Sequence, residues 1–239
     1  MRVSVIVPAL NEEKYLPTLL ACLARQTLAP VEIIVADAGS HDRTREIAKA
    51  AGCIVVDGGL PAQGRNRGAQ RANGDMLFFF DSDVWIADNF IERVVKAIEG
   101  VGAASGTVYN FPVYQPWEKG FASRWVRLQD LFFYFFHNIG HRIFASLRYA
   151  TATGTFMFSR AEIFHRVHGF DESLVAFEDA NFAMRACREG RYIVLRDPQV
   201  GVSTRRFDIR NRTTFPLYMG IRATFGRMLL GEKRTGRYF

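Results

Sequence analysis

The sequence has few cysteines, and their spacing carries no chemical signature. Cys22, Cys53 and Cys187 are the only three in 239 residues, the number is odd, and no Cys-x-x-Cys pair occurs. We therefore expect small buried thiols in a reducing compartment rather than a disulfide framework. Neither a zinc site nor a catalytic thiol is expected from this pattern.

Long apolar runs are also missing from the sequence. A helix that crosses a bilayer needs about 20 predominantly apolar residues, and no stretch of this chain is that long and that apolar. The N-terminus enters a strand pattern at Val3 without the charged and apolar regions of a signal peptide. The expectation is a protein with no membrane span and no leader.

Charge is unevenly distributed along the chain. The composition is 49% hydrophobic and 23% charged, which is typical of an ordered globular protein with one large domain or two small ones. Seven arginines and lysines stand against one glutamate in residues 209–239, so this segment carries +6 of the formal net charge of +7. A basic tail predicts an anionic partner: nucleic acid, acidic lipid or a phosphorylated substrate.

Strand and helix patterns alternate in the first hundred residues. The predicted strands are 3–7, 31–36, 53–56 and 76–80. The predicted helices run from Asn11 or Glu12 to Ala24, and over 43–51, 64–72 and 89–99. This order predicts an α/β fold with a mostly parallel sheet and helices on both faces. Further strands at 103–111, 153–158 and 192–195 and a helix at 178–189 are expected beyond residue 100.

Two carboxylates follow the most apolar of these strands. Asp81 and Asp83 come directly after 76–80, whose sequence Met-Leu-Phe-Phe-Phe predicts a strand buried on both faces. Ligands of open α/β sheets bind beyond the carboxyl ends of strands, and carboxylate oxygens there suit Mg²⁺ or Mn²⁺ with substrate phosphates. Asp-x-Asp alone also fits an ordinary acidic turn in which Asp83 or Asp88 caps the next helix.

An aromatic and basic segment occupies residues 117–147. Six consecutive apolar residues, 131–136, five of them aromatic, are flanked by Arg124, Arg127, Arg142 and Arg148. Such a segment either packs inside the protein or lies in the lipid interface with its basic groups toward headgroups.

Several short motifs occur in a fixed order. They are Val7-Pro8-Ala9-Leu10-Asn11-Glu12, Asp37-Ala38-Gly39-Ser40, Gly64-Arg65-Asn66-Arg67-Gly68, Asp81-Ser82-Asp83, Gly169-Phe170-Asp171-Glu172 and Glu178-Asp179. Together, over residues 3–207, they resemble family 2 glycosyltransferases, which are inverting enzymes of the GT-A fold that use nucleoside diphosphate sugars. Two departures exist: the family's Asp-Asp-Gly-Ser turn lacks its second acid here, and the Gln-x-x-Arg-Trp signature of processive polysaccharide synthases is absent.

The resemblance implies roles for individual residues of the donor site. Asp83 would hold Mn²⁺ or Mg²⁺ with help from Asp81, which would also face the ribose or donor sugar. The remaining residues implied on the nucleotide-sugar side are Pro8, Ala9, Glu12, Asp37, Arg65 and Ser82. Asp37 would accept from the base, which leaves UDP- and GDP-sugars both open. Taken singly, each residue has another interpretation: Asp37 also fits an ordinary turn residue, and Arg65 fits a solvated charge on a helix.

The resemblance also implies an acceptor side. Asp179 matches the family's base, and Gly154 and Glu178 are assigned to the acceptor. The alternative for Glu178 and Asp179 is that they are first-turn charges that stabilise a helix N-terminus. Where related enzymes sometimes place a histidine near the metal, this chain has Arg205 and Arg206, which either contact the diphosphate or begin the basic tail.

The sequence therefore predicts a metal-dependent inverting glycosyltransferase with a single GT-A domain over residues 1–207. Residues 1–105 would bind the nucleotide, 106–207 the acceptor, and 208–239 would form a basic amphipathic extension. We expect attachment to the inner face of the cell membrane and a lipid or lipid-linked acceptor. The alternatives are a nucleotidyltransferase, or a non-catalytic protein that binds membrane or nucleic acid. Nucleic acid is not the expected partner, because clustered acids repel its phosphates.

Overall fold

The structure, a computed structural model, describes residues 1–114, 124–147, 149–150 and 152–205, with the side chains of 124–126 outside the description. Strands and helices alternate through these ranges. The strands are β1 (Val3–Ala9), β2 (Glu32–Asp37), β3 (Ile54–Asp57), β4 (Met76–Phe80), β5 (Val84–Trp85), β6 (Ser105–Val113), β7 (Phe156–Arg160) and β8 (Tyr192–Ser203). The helices are α1 (Leu16–Ala24), α2 (Thr44–Ala50), α3 (Pro61–Arg71), α4 (Phe90–Val101), α5 (Arg124–Ser146), α6 (Ala161–Arg166) and α7 (Glu178–Glu189).

The described strands join one mixed sheet in the order β3-β2-β1-β4-β7-β6-β8-β5. The first four strands in that order pair in parallel, whereas β7 is antiparallel to both β4 and β6. The predicted α/β class, with a mostly parallel sheet flanked by helices, is confirmed. Because β7 lies between β4 and β6, the sheet continues from the predicted nucleotide-binding half into the predicted acceptor half. The boundary at residue 105 itself stays a prediction.

The central strand β4 is buried on both faces of the sheet, which explains its apolar sequence. Met76, Phe78 and Phe80 belong to a core cluster on one face of the sheet, with α1 and α4. Leu77 and Phe79 belong to a second cluster on the other face, with α3, α6 and α7. Successive side chains of a strand point to opposite faces, so a strand that is covered twice needs apolar residues at every position.

Some element boundaries differ from the sequence expectation. Helix α1 begins at Leu16 rather than at Asn11 or Glu12, because Asn11 has φ +55° and the Glu12 carbonyl accepts from the N–H groups of Tyr15 and Leu16 in a tight turn. Strand β7 begins at Phe156, so residues 153–155 form a loop before it. The short elements β5 and α6 were not predicted, because two- and six-residue elements carry too little periodicity.

Helix α5 has its polar and apolar faces reversed relative to an ordinary surface helix. Its buried side includes Asp130, Tyr134, Asn138 and His141, and Asn138 exchanges hydrogen bonds with the backbone of Asn110 on β6. Its exposed large apolar side chains are Leu128, Leu131, Phe132, Phe135, Phe136, Ile143 and Phe144. Surface helices of globular proteins bury the apolar face instead. No helix in the described part of the chain is long and apolar enough to cross a bilayer.

Candidate active site

The candidate site lies along the edge of the sheet where β1, β2 and β4 end. Ala9 pairs with Asp37 in the last register position of β1 and β2. Asp81 follows β4 at the same edge, and its N–H donates to the carbonyl of Thr155 in the loop before β7. Since β7 is antiparallel, its beginning meets the end of β4, which brings residues 153–155 to this edge.

Asp37 is a buried carboxylate with one unused oxygen. Its Oδ2 accepts hydrogen bonds from the N–H groups of Gly39 and Ser40 and from Arg45. Burial alone would raise the pKa of Asp37, but the hydrogen bonds from Ser40, Arg45 and Gly39 outweigh burial and hold that pKa below its ordinary value. Oδ1 is buried and has no hydrogen-bond partner among the described residues. Buried acceptors are normally satisfied, so the unpartnered Oδ1 marks Asp37 as a candidate for ligand contact.

Arg65 is a buried cation that joins residues distant in the sequence. Its side chain is 2% exposed, and its guanidinium lies 5.4 Å from the centre of the Phe170 ring. Nη2 donates to Oδ1 of Asp81 at 3.0 Å, and Nη1 donates to Oε1 of Glu178 at 2.7 Å. The family resemblance implies that Arg65 contacts the nucleotide sugar, whereas here it contacts two carboxylates.

Gly154 leaves the room that this ion pair needs. A Cβ at position 154 would lie 2.4 Å from Nη2 of Arg65 and 3.2 Å from Oδ1 of Asp81. Any larger residue at 154 therefore displaces the guanidinium from Asp81. The predicted acceptor residues Gly154 and Glu178 both lie against Arg65.

Asp179 stands in the first turn of α7, next to this pair. Burial raises the pKa of Asp179 to about 7, the negative charge of Glu178 adds to the shift, and Arg65 opposes it. Its Oδ1 accepts from the N–H of Ala180 at 2.6 Å. A carboxylate with this pKa is a suitable general base near neutral pH.

Asp83 contacts a second cation, Arg205, at the end of β8. Asp83 is 3% exposed, and its Oδ2 forms an ion pair with Nε of Arg205 at 2.6 Å. Nη1 and Nη2 of Arg205 donate to the two carboxylate oxygens of Glu12 at 2.8 and 2.7 Å. The guanidinium stacks 4.3 Å from the centre of the Tyr15 ring. Glu12, from the loop after β1, is thus joined to Asp83 through one arginine.

The structure brings most of the predicted site residues to one edge. Pro8 and Ala9 end β1, and Ser82 is buried between Asp81 and Asp83. Arg206 lies outside the described residues, as does the extension 208–239. No cluster of three or more histidine, cysteine, aspartate or glutamate side chains that could hold a metal occurs in the described ranges.

Three contributors to the site were missed by sequence reasoning. Arg45 and Tyr15 are the partners of Asp37 and Arg205. Asn66 holds the Gly-Phe-Asp-Glu motif: its Nδ2 donates to the carbonyl of Phe170, and its Oδ1 accepts from the N–H of Phe170. Gly169, at φ +64°, passes so close that a Cβ would lie 2.5 Å from Oδ1 of Asn66. Asn66 stands inside a quoted motif, but only the fold reveals its partner 104 residues away.

Comparison with known proteins points to one family. A family model described as "Glycosyl transferase family 2" matches residues 4–167. The 4,4'-diaponeurosporenoate glycosyltransferase of Staphylococcus haemolyticus is 36% identical over 129 residues, which is 48% of this chain and 34% of that protein. Glycosyltransferase GlyA of Streptococcus pneumoniae is 34% identical over 120 residues, 46% of this chain and 17% of that protein. The match thus covers about a third or less of the curated relatives' lengths.

Solved structures share the fold. Residues 1–349 of TarS from S. aureus in complex with UDP-GlcNAc superpose with a TM-score of 0.66 at 22% identity, covering 98% of this chain and 68% of that one. The mannosyltransferase PcManGT from Pyrobaculum calidifontis in complex with GDP-Man and Mn²⁺ gives 0.67 at 19% identity, covering 98% and 66%. At these identities the likeness is one of fold.

Proposed function

Because the chain belongs to glycosyl transferase family 2, we propose that it transfers a sugar from a nucleoside diphosphate sugar to an acceptor, with inversion at the anomeric carbon. The observation that carries the proposal is the junction at Arg65. This one guanidinium contacts Asp81, at the end of a strand in the donor half, and Glu178, beside the candidate base Asp179. Transfer of a sugar from a donor to an acceptor needs a carboxylate on the donor side and a base on the acceptor side, and both lie at the same edge of the sheet.

Asp37 supports a nucleotide as the leaving group. Its unpartnered Oδ1 can accept from a ring N–H, which uracil and guanine both present. The solved structures that share the fold bind UDP-GlcNAc in one case and GDP-Man in the other. The proposed donor is therefore a UDP- or GDP-sugar.

The charge of the site supports a divalent cation. Five carboxylates, those of Glu12, Asp81, Asp83, Glu178 and Asp179, stand against the guanidinium groups of Arg65 and Arg205. An entering diphosphate would add more negative charge. In sites where substrate phosphates complete the coordination shell, Mg²⁺ is usually held by one or two protein carboxylates. Asp81 and Asp83 would supply such carboxylates, so these ligand atoms fit Mg²⁺ or Mn²⁺. A bound ion would stabilise the charge that builds on the leaving diphosphate.

The chain's own residues would perform the proton transfer. Asp179 takes the proton of the acceptor hydroxyl while the oxygen of that hydroxyl attacks the anomeric carbon. The bond to the diphosphate breaks on the opposite face of the sugar, which inverts the configuration. Arg65 fixes the position of Asp81 and Glu178 through short ionic hydrogen bonds, so the donor-side and acceptor-side groups keep a constant separation.

The donor assignment can be tested with nucleotides alone. We expect either UDP or GDP to bind in a calorimetric titration, and the corresponding sugar nucleotides to be hydrolysed slowly without acceptor. Asp37→Ala should weaken that nucleotide by about 10-fold or more, because a charged acceptor for the base is lost. Asp57→Ala is the matched control, since Asp57 also pairs with Arg45 but is 86% exposed. Binding of neither nucleotide, with no hydrolysis in a panel of sugar nucleotides, would contradict the proposed function.

The reversed helix α5 supports a membrane surface as the place of action. Its outward side chains include Phe132, which is 65% exposed, and Leu131, which is 56% exposed, while Arg127 and Arg142 are exposed on the same helix. Apolar side chains flanked by arginines suit the boundary between acyl chains and anionic headgroups. We propose peripheral attachment to the inner face of the cell membrane and a lipid or lipid-linked acceptor.

Liposome cosedimentation tests this attachment. We expect the full-length chain to pellet with anionic vesicles at low salt, and the double variant Phe132→Glu, Phe136→Glu to lose most of that binding. Val31→Glu with Val101→Glu is the control, because these exposed apolar residues lie outside α5, one just before β2 and the other at the end of α4. Removing residues 209–239 in both backgrounds separates the contribution of the tail from that of α5. A wild-type chain that stays in the supernatant would instead favour a soluble acceptor.

A further inference from the structure

Arg205 uses its whole guanidinium on two carboxylates of the candidate site. Nη1 and Nη2 bind both oxygens of Glu12, and Nε binds Oδ2 of Asp83. The pKa of Arg205 is raised because these contacts outweigh the opposing effect of its burial, so the group stays charged. Such a fork is the preferred partner of a carboxylate, and equally of a phosphate.

This arrangement bears on the ion that the proposed function requires. Asp83 is its expected chief ligand, and one oxygen of Asp83 is already in contact with a cation at 2.6 Å. Mg²⁺ binds carboxylate oxygens at about 2.0–2.1 Å with near-ideal octahedral geometry. A guanidinium at hydrogen-bond distance from the same carboxylate competes with the ion by charge and by space.

The diphosphate of a donor offers Arg205 another partner. The side chain of Arg205 is 24% exposed, so it is not sealed inside the site and a second anion can approach it from solvent. Phosphate oxygens accept the same two-pronged contact that Glu12 accepts. Movement of the guanidinium from Asp83 to the diphosphate would release the carboxylate at the moment when phosphate oxygens become available to the ion.

We propose that Arg205 is a latch on Asp83, so that the divalent ion and the nucleotide bind together and each binds weakly alone. The inference rests on the proposed function and adds a positioning residue to it. Linkage requires that the two ligands strengthen each other by the same factor. The phosphate oxygens that complete the shell of the ion supply part of that factor. The latch adds to it, because the nucleotide draws a competing cation away from Asp83.

The test measures Mn²⁺ binding from the electron paramagnetic resonance signal of the free ion. Titrations are run without nucleotide, with UDP and with GDP, after correction for the Mn²⁺ complex of the free nucleotide. Wild type should bind Mn²⁺ weakly without nucleotide, and its nucleotide should raise the Mn²⁺ affinity by about tenfold or more. Arg205→Gln should bind Mn²⁺ alone about tenfold more tightly than wild type, and the gain that nucleotide brings should be about tenfold smaller than in wild type.

Two further variants keep the result interpretable. Arg205→Lys retains the charge but loses the fork that reaches Glu12 and Asp83 together, so it should fall between wild type and Arg205→Gln. Arg166→Gln removes an exposed arginine that pairs with Glu189 and should behave as wild type. Circular dichroism and thermal melts check the fold, and Arg205→Lys carries the test if Arg205→Gln unfolds.

Two outcomes would overturn the latch, and they are distinguishable. In the first, wild type, Arg205→Lys and Arg205→Gln bind Mn²⁺ equally well in the absence of nucleotide, and all three still bind the nucleotide when it is added. This result contradicts the latch and leaves the proposed function standing. Absence of both Mn²⁺ binding and nucleotide binding in wild type and variants contradicts the latch together with the proposed function.

Discussion

Replacing Asp179 with asparagine is expected to lower kcat by about 10² or more while nucleotide affinity is retained. Asparagine keeps the shape of the side chain but cannot take the acceptor's proton. Arg65 keeps its partners Asp81 and Glu178 in this variant, so the donor side should stay in place. Steady-state transfer assays and calorimetric titration of UDP or GDP measure the two quantities separately.

The pH dependence of wild type gives the same prediction an independent signature. Since the pKa of Asp179 lies at about 7, its basic form is lost as the pH falls below 7. The logarithm of kcat/KM, which reports the ionisations of the free enzyme, should therefore rise with unit slope up to about pH 7 and then level off, and the slope should vanish in Asp179→Asn. Asp88→Asn is the control, because Asp88 is exposed and pairs with Arg25 rather than with a residue of the candidate site. An Asp179→Asn enzyme within a few-fold of wild type would mean that another group takes the proton.

The second large effect is expected at the ion. Asp83→Ala should lower transfer by about 10² to 10³, and EDTA should lower wild-type transfer comparably, because both remove stabilisation of charge on the leaving diphosphate. Arg205 retains both contacts to Glu12 after the substitution, so no buried cation is left without a partner and the fold should persist. Melting temperature and transfer rate, each measured over a series of Mn²⁺ and Mg²⁺ concentrations, are the readouts.

Asp88→Ala provides the matched control for Asp83→Ala. Asp88 lies five residues further along the chain and forms an exposed pair with Arg25, with no contact to the candidate site in the described residues. Its removal should leave transfer and ion dependence unchanged. Undiminished turnover of wild type in EDTA would exclude the metal-dependent mechanism, whatever Asp83→Ala shows.

The elements that the sequence predicts well are those that local physics determines. β4 is apolar at every position because helices cover both faces of the sheet, and α7 begins at the acidic pair Glu178 and Asp179, as a helix N-terminus favours. The edge that carries Asp37, Asp81 and Asp83 follows from the rule that ligands bind beyond strand ends in open α/β sheets.

Contacts between distant residues could not be predicted in the same way. Arg65 and Glu178 are 113 positions apart, and Arg205 and Glu12 are 193 apart, so only the folded sheet brings them together. The orientation of α5 was equally out of reach. The usual rule that a helix buries its apolar face gives the opposite orientation, because here the polar face contacts β6.

Arg65 has a consequence for how such a chain can be divided. A piece that ended near residue 105 would keep this arginine in α3 but lose Glu178, Asp179 and the Phe170 ring that surround it. It would also leave unpaired the edge of β4 that forms backbone hydrogen bonds with β7. A piece that ends there is therefore not expected to be a portable module, and domain exchange between relatives should cut outside residues 1–205 rather than near residue 105.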